Sequence, residues 1–137
     1  MKKFLILILT LILTITSLTL TACAPVEEKA KKNLEEAGYT ITKYENEYKE
    51  FSHEWRYYYS SPTIKTYGLM EAIISANLGE DWVTIYYFDN TDSAKDYVSD
   101  YKYYNPNRLK DEAGYPKRDG RVIFMGTEDA INVAKGK

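Results

Sequence analysis

The chain opens with an uncharged, mostly apolar run from Phe4 to Leu20 and never repeats it. Beyond that run, shorter periods of apolar and polar residues predict elements of both kinds. Val26, Ala30, Leu34 and Ala37 fall on one face of a helix over Val26–Ala37. Glu27/Lys31 and Glu28/Lys32 stand four apart in the favourable order, and Gly38 is a natural stop. Tyr39–Tyr44 alternates β-branched and aromatic positions and predicts a strand. Tyr44, Tyr48, Phe51, Trp55 and Tyr58 step by four, three, four and three, which predicts a helix within Glu45–Ser61, ended by Pro62.

The next two runs, Leu69–Ala76 and Trp82–Phe88, predict strands joined by the turn Asn77–Asp81 as a hairpin, with a helix over Gly68–Asn77 as the alternative for the first. Ala94, Tyr97, Val98, Tyr101 and Tyr104 form the apolar face of a helix over Thr91–Tyr104, with Asp89, Asn90 or Thr91 as its cap. Asn107–Gly120 is polar and predicts a loop. Arg121–Met125 predicts a strand and Thr127–Ala134 a closing helix. Phe88–Ala94 and Phe124–Ala130 resemble each other, and capped helix starts account for both. The order predicts an α+β fold: a mixed, mainly antiparallel four-stranded sheet of ferredoxin-like flavour, with helices packed on one face. Trp82 to Met125 is expected to make a right-handed crossover.

Composition changes the picture at two points. Without residues 1–22 the chain keeps 115 residues, one domain's worth, with 16 basic and 20 acidic side chains. That mildly acidic, mixed surface argues against nucleic-acid binding, which wants a basic stripe. The 115 residues hold only 19 Leu, Ile, Val and Phe, few enough to raise disorder as a question. All 14 Tyr and both Trp lie in the same segment, however, and each ring buries a large area. A folded domain with tyrosine-rich core borders is expected.

Lys2 and Lys3, the apolar run, Leu20, Thr21, Ala22 and then Cys23 stand in the order of a processing signal. Leu20-Thr21-Ala22-Cys23 resembles the bacterial lipoprotein cleavage box. The resemblance implies that residues 1–22 are a signal peptide. It also implies that Cys23, the only cysteine, becomes a mature N-terminus carrying a diacylglyceryl/N-acyl anchor. Two acyl chains give stable membrane attachment where one does not. Residues 23–25 would then be the lipidated Cys and a short spacer, with residues 26–137 a single domain at the extracytoplasmic face of the cell membrane. A retained transmembrane helix and a plain secretory peptide are the competing readings. The first has a threonine-rich span, and the second leaves an odd thiol in an oxidising place. Ala30, Leu34, Gly38 and Tyr39, with the close at Gly126–Ala130, are similar to small, uncharacterised lipoproteins of low-GC Gram-positive bacteria, a likeness that implies no activity.

Little in the chain carries catalysis. His53 is the only histidine, and its neighbour Glu54 points elsewhere on a helix, so the two are not a dyad by spacing. One His and a lipidated Cys cannot supply a three-ligand metal site, and no cofactor or catalytic residue is assigned. Asp89, Asn90, Asp92 and Asp96 lack the calcium-loop spacing and are read as helix-capping polar groups. Trp55, Arg56, Tyr57 and Tyr59, with Tyr103, are the candidate ligand contacts, because Tyr and Trp faces stack on sugars, peptides and cations. The leading expectation is a non-enzymatic binding or interaction domain tethered to the membrane, with an envelope polymer or a protein as its partner. The alternative is an envelope enzyme or accessory acting on wall polymer.

Overall fold

The computed structural model describes residues 24–137. The predicted signal peptide, with Leu20, Thr21, Ala22 and Cys23, lies outside the described residues. The first helix, α1 (Glu27–Glu36), forms where its period placed it, with Ala30 and Leu34 buried. Gly38, at φ +90°, closes it. The Gly38 N–H donates to the Glu35 carbonyl and the Tyr39 N–H to the Leu34 carbonyl, which satisfies two otherwise orphaned groups. Tyr39 and Leu34 then pack in the same core.

Three strands follow: β1 (Thr40–Glu45), β2 (Lys49–Trp55) and the 16-residue β3 (Thr63–Leu78). β1 lies antiparallel to the second half of β3, and β2 lies antiparallel to its first half. A two-residue turn, Gly79-Glu80, leads into β4 (Asp81–Phe88), shorter than the five-residue turn expected. Helix α2 (Thr91–Tyr104) has its predicted bounds, and the Asn90 side chain accepts from the Ser93 N–H at 2.8 Å. β5 (Lys117–Asp119), β6 (Val122–Gly126) and α3 (Glu128–Lys135) complete the order. Thr127 begins α3 without a side-chain cap bond, so only one of the two similar helix starts is capped as expected.

The fold is α+β, as predicted, with a different sheet. Six strands pair in the order β1-β3-β4-β6-β5, with β2 beside β3, and every pairing is antiparallel. The mixed, four-stranded ferredoxin-like expectation is corrected on that point. The direct crossover from Trp82 to Met125 is corrected too, because β4 and β6 run antiparallel. The backbones close in tightly there, and a Cβ on Gly126 would run into the Trp82 carbonyl.

The expected helix within Glu45–Ser61 is a strand, β2. Its Phe51, His53 and Trp55 share one face and pack with Tyr97, whereas Ser52 bonds Thr66 on the other. The helical alternative for Gly68–Asn77 does not form, and the loop expected over Asn107–Gly120 includes β5.

Helices cover both faces of the sheet, not one. On one side α1 and α3 bury Ala30, Leu34, Ala130, Ile131 and Ala134 against Ala72, Ile74, Ile85, Tyr87 and Phe124. On the other, α2 buries Ala94, Tyr97 and Tyr101 against Trp55, Tyr67, Phe88 and Ile123. Alternation along β4 and β6 divides the two: Ile85 and Tyr87 face one core, Tyr86 and Phe88 the other. Residues 24 and 25, part of the expected spacer, dock on the domain. Ala24 packs on the first core, and the Tyr87 hydroxyl donates to the Pro25 carbonyl at 2.9 Å. No helix among the described residues is long and apolar enough to cross a membrane.

Candidate tyrosine-lined functional site

The candidate contacts gather where the β2–β3 loop meets the C-terminal end of α2. Pro62 ends the loop, and Tyr58 holds a left-handed φ of 48° within it. That conformation is costly for a bulky side chain, so its surroundings must hold it. The Tyr57 N-terminal neighbour, Arg56, pairs with Glu54 at 2.9 Å on the exposed side of β2. Tyr57 stacks on Tyr103 with centroids 5.7 Å apart and rings 22° from parallel. Tyr58 meets Tyr57 edge-on at 4.7 Å, and Tyr103 meets Tyr104 edge-on at 5.0 Å. The Asn107 amide reaches the Tyr58 hydroxyl at 3.4 Å.

Tyr59 is fully exposed, Tyr58 67% and Tyr103 65%, so these rings present faces to solvent. Tyr58, Tyr104, Asn105, Pro106, Asn107 and Arg108 border a shallow cleft of about 220 Å³ beside them. The structure therefore brings Tyr57 and Tyr103 together and leaves Tyr59 free at the tip. Arg56 flanks the loop on its ion pair. Trp55, expected on this patch, is 4% exposed and belongs to the core. Its indole is nearly parallel to the Tyr104 ring at 5.3 Å, so Tyr104 joins surface rings to buried ones.

Sequence reasoning missed Tyr58, Tyr104 and Asn107. Tyr104 was assigned to the apolar face of α2, and Tyr58 to the stripe of a helix that does not form. The proximity of Asn107 to Tyr58 spans 49 residues, and no local signal carries it.

Beneath the patch runs a chain of polar bonds. Trp55 Nε1 donates to the Tyr67 hydroxyl at 2.5 Å, and that hydroxyl donates to Asp100 Oδ2 at 2.6 Å. Lys65 Nζ reaches Asp100 Oδ1 at 2.6 Å. The chain pins α2 to β2 and β3, and so fixes Tyr103 relative to Tyr57. Burial and the Asp100 bond push the Tyr67 phenol well above its ordinary pKa, and burial does the same for Tyr97. These hydroxyls act as hydrogen-bond donors, not phenolates.

His53 is half-buried, 4.2 Å from the Trp55 ring and edge-on to Tyr97 at 5.5 Å. Burial holds its pKa below the ordinary value, against the pull of Glu54. The cleft that holds His53 and Glu54 is otherwise lined by Trp55, Arg56, Tyr86, Tyr97, Tyr101, Asn105 and Met125. No serine among the described residues lines that cleft, and Glu54 is engaged by Arg56. Among the described residues no group of three His, Cys, Asp or Glu side chains is arranged to hold a metal ion.

The arrangement offers flat aromatic faces and phenol hydroxyls, with two ion-paired guanidinium groups at the rim, Arg56 on Glu54 and Arg108 on Glu112. Such a surface stacks on sugar rings or aromatic and cationic side chains, and it bonds carboxylates. Comparison of the chain with protein-family models, with curated proteins and with solved structures returns no match.

Proposed function

We propose that this protein is a non-enzymatic binding domain, tethered by lipidated Cys23 to the extracytoplasmic face of the cell membrane, with Tyr57, Tyr59 and Tyr103 as its ligand contacts. The observation that carries the binding reading is the exposed ring cluster, in which Tyr57 and Tyr103 come from distant segments and stack on each other. Exposed aromatic rings held rigid by their neighbours give contact area at small entropic cost. Arg56 at the rim suits an anionic or aromatic partner, either an envelope polymer or a protein.

The position of the spacer agrees with such a role. Ala24 lines one cleft with Thr91, at the start of α2, and the tyrosines lie at the other end of that helix. The 14 residues of α2 span about 20 Å at 1.5 Å per residue. A domain held at Cys23 would therefore present the tyrosine patch at a distance from its anchored end.

Two measurements test the reading. A glycan array and a protein pull-down with the full chain should give a hit, and Tyr57→Ala/Tyr59→Ala should weaken it about tenfold or more, since each stacked pair contributes about 0.5–1.5 kcal/mol beyond burial. Unchanged binding of every hit by that variant would remove the patch from the account. For the anchor, Cys23→Ala should accumulate unprocessed, unlipidated precursor. Normal processing and lipid labelling of that variant would sink the tether.

A further inference from the structure

One stretch of β3 has a strand on one side only. Thr63, Ile64, Lys65 and Thr66 pair with Trp55, Glu54, His53 and Ser52 of β2. On the opposite side β4 begins its pairing at Met70, and the Asp89 N–H donates to the Leu69 carbonyl before the chain turns away into α2. From Thr63 to Tyr67, no strand among the described residues lies against that second edge. In an antiparallel ladder, alternate residues direct their N–H and C=O groups away from the paired neighbour, so this edge offers unused main-chain groups.

The edge is also walled. Lys65, Thr66 and Tyr67 line a cleft of about 380 Å³ whose other side is Asp96, Ser99 and Asp100 of α2. Three consecutive strand residues cannot all present their side chains to one face. Their shared cleft therefore opens along the strand's edge. The Lys65 side chain, which would otherwise guard that edge, is drawn back onto Asp100 and over the Tyr104 ring at 5.7 Å.

The other outer edges differ. β5 is three residues long and carries Lys117 and Arg118. β1 and β2 carry Lys43 and Lys49, and both have register shifts in their pairing with β3. Lysines, short strands and bulges are the usual ways an edge is made unattractive to a further strand.

We infer that the cleft between β3 and α2 takes an extended polypeptide segment, added as a strand on Thr63–Tyr67, with a basic side chain of that segment against Asp96. Asp100 is already engaged by Lys65 and Tyr67, whereas exposed Asp96 makes no ion pair among the described residues. A free carboxylate on the wall therefore favours a Lys or Arg at the matching position. Five residues of edge accept a segment of similar length, about 17 Å of strand. Main-chain bonds supply affinity in this mode, and side-chain fit supplies selectivity. The proposal goes beyond the tyrosine-patch reading, because the edge is a separate site.

The test is selection of phage-displayed random dodecapeptides on the full chain in detergent, followed by binding assays on the synthetic peptides. Selected peptides should carry Lys or Arg. N-methylation of alternate peptide amides should weaken them about tenfold or more, and so should Asp96→Lys. Asp96→Asn is the milder variant, if charge reversal disturbs α2, and should weaken them severalfold. An empty selection overturns the proposal, as do peptides that tolerate N-methylation at every position or bind both Asp96 variants like the wild type. Peptides lost by Tyr57→Ala/Tyr59→Ala but kept by Asp96→Lys overturn it while leaving the tyrosine patch standing. A wild-type dimer in sedimentation that Asp96→Lys dissociates would put a second copy on the edge and overturn it as well.

Discussion

The two faces of the sheet are cored in different chemistries. Under α1 and α3 the core is mainly small and aliphatic, with Tyr39, Tyr87 and Phe124 as its rings: Ala30, Ala130 and Ala134 let the helices approach Ile74, Ile85 and Phe124. Under α2 the space is filled by rings, with Tyr97 at the centre of Phe51, His53, Trp55, Tyr67, Tyr86 and Phe88. An aliphatic side chain ends in the core it fills. A tyrosine does not, because its hydroxyl can bond onward, as Tyr87 does to Pro25 under α1 and Tyr67 does to Asp100 under α2. The Trp55–Tyr67–Asp100–Lys65 chain and the Trp55–Tyr104 stack both run from the interior to the surface. The candidate site stands on the aromatic face for that reason: its exposed rings continue a buried array that holds them in place.

Excising a ring from either core should produce the largest effect and show that both are required. Phe124→Ala and Tyr97→Ala each remove a fully buried ring and should destabilise by about 3–5 kcal/mol, read from urea unfolding. That is a large part of the 5–15 kcal/mol that domains generally have. If Tyr97→Ala cost under about 1 kcal/mol, the aromatic layer would be an ornament on an aliphatic core.

Removing hydroxyls sharpens the contrast at a smaller scale. Tyr67→Phe leaves the Trp55 indole N–H and Asp100 without their shared partner and should cost about 1–3 kcal/mol. Tyr97→Phe should cost at most about 0.5 kcal/mol, because its hydroxyl only approaches the Met125 sulfur at 3.8 Å. Equal losses for the two would show that ring packing alone sustains that face.

The smallest effect is a pH slope. Burial lowers the His53 pKa in the folded protein, so the unfolded chain binds a proton first as pH falls. Stability that His53 permits above its unfolded pKa, about 6.5, is therefore lost progressively as pH drops below that value. The Tm of the wild type should fall between pH 7.5 and 5.5 by more than that of His53→Gln. Parallel Tm profiles would place the imidazole in solvent, outside the aromatic core.

The misread of β2 has a physical cause. Tyr44, Tyr48, Phe51, Trp55 and Tyr58 satisfy a helical period because tyrosine suits both a buried face and a wet one. The strand signal lay in Phe51-Ser52-His53-Glu54-Trp55, which alternates once His53 is counted among the inward rings. Read as polar, His53 hides the alternation. The tyrosines at positions 57, 59 and 103 were legible as candidates because they fall off apolar stripes. Their meeting was not legible, since the β2–β3 loop and the end of α2 are far apart in sequence.

The amino-acid sequence alone determined the elements whose signals are local. α1 follows from its period and Gly38, α2 from its apolar stripe and Asn90, and the β3–β4 hairpin from two β-rich runs around a glycine turn. The resemblance at Leu20–Cys23 is likewise a property of the chain and stands apart from the fold of residues 24–137. Tertiary structure alone decided how many strands pair, that all run antiparallel, and that helices cover both faces. Those outcomes depend on which surfaces find partners across the molecule. A pattern of hydrophobic positions states that a surface must be buried, but not against what.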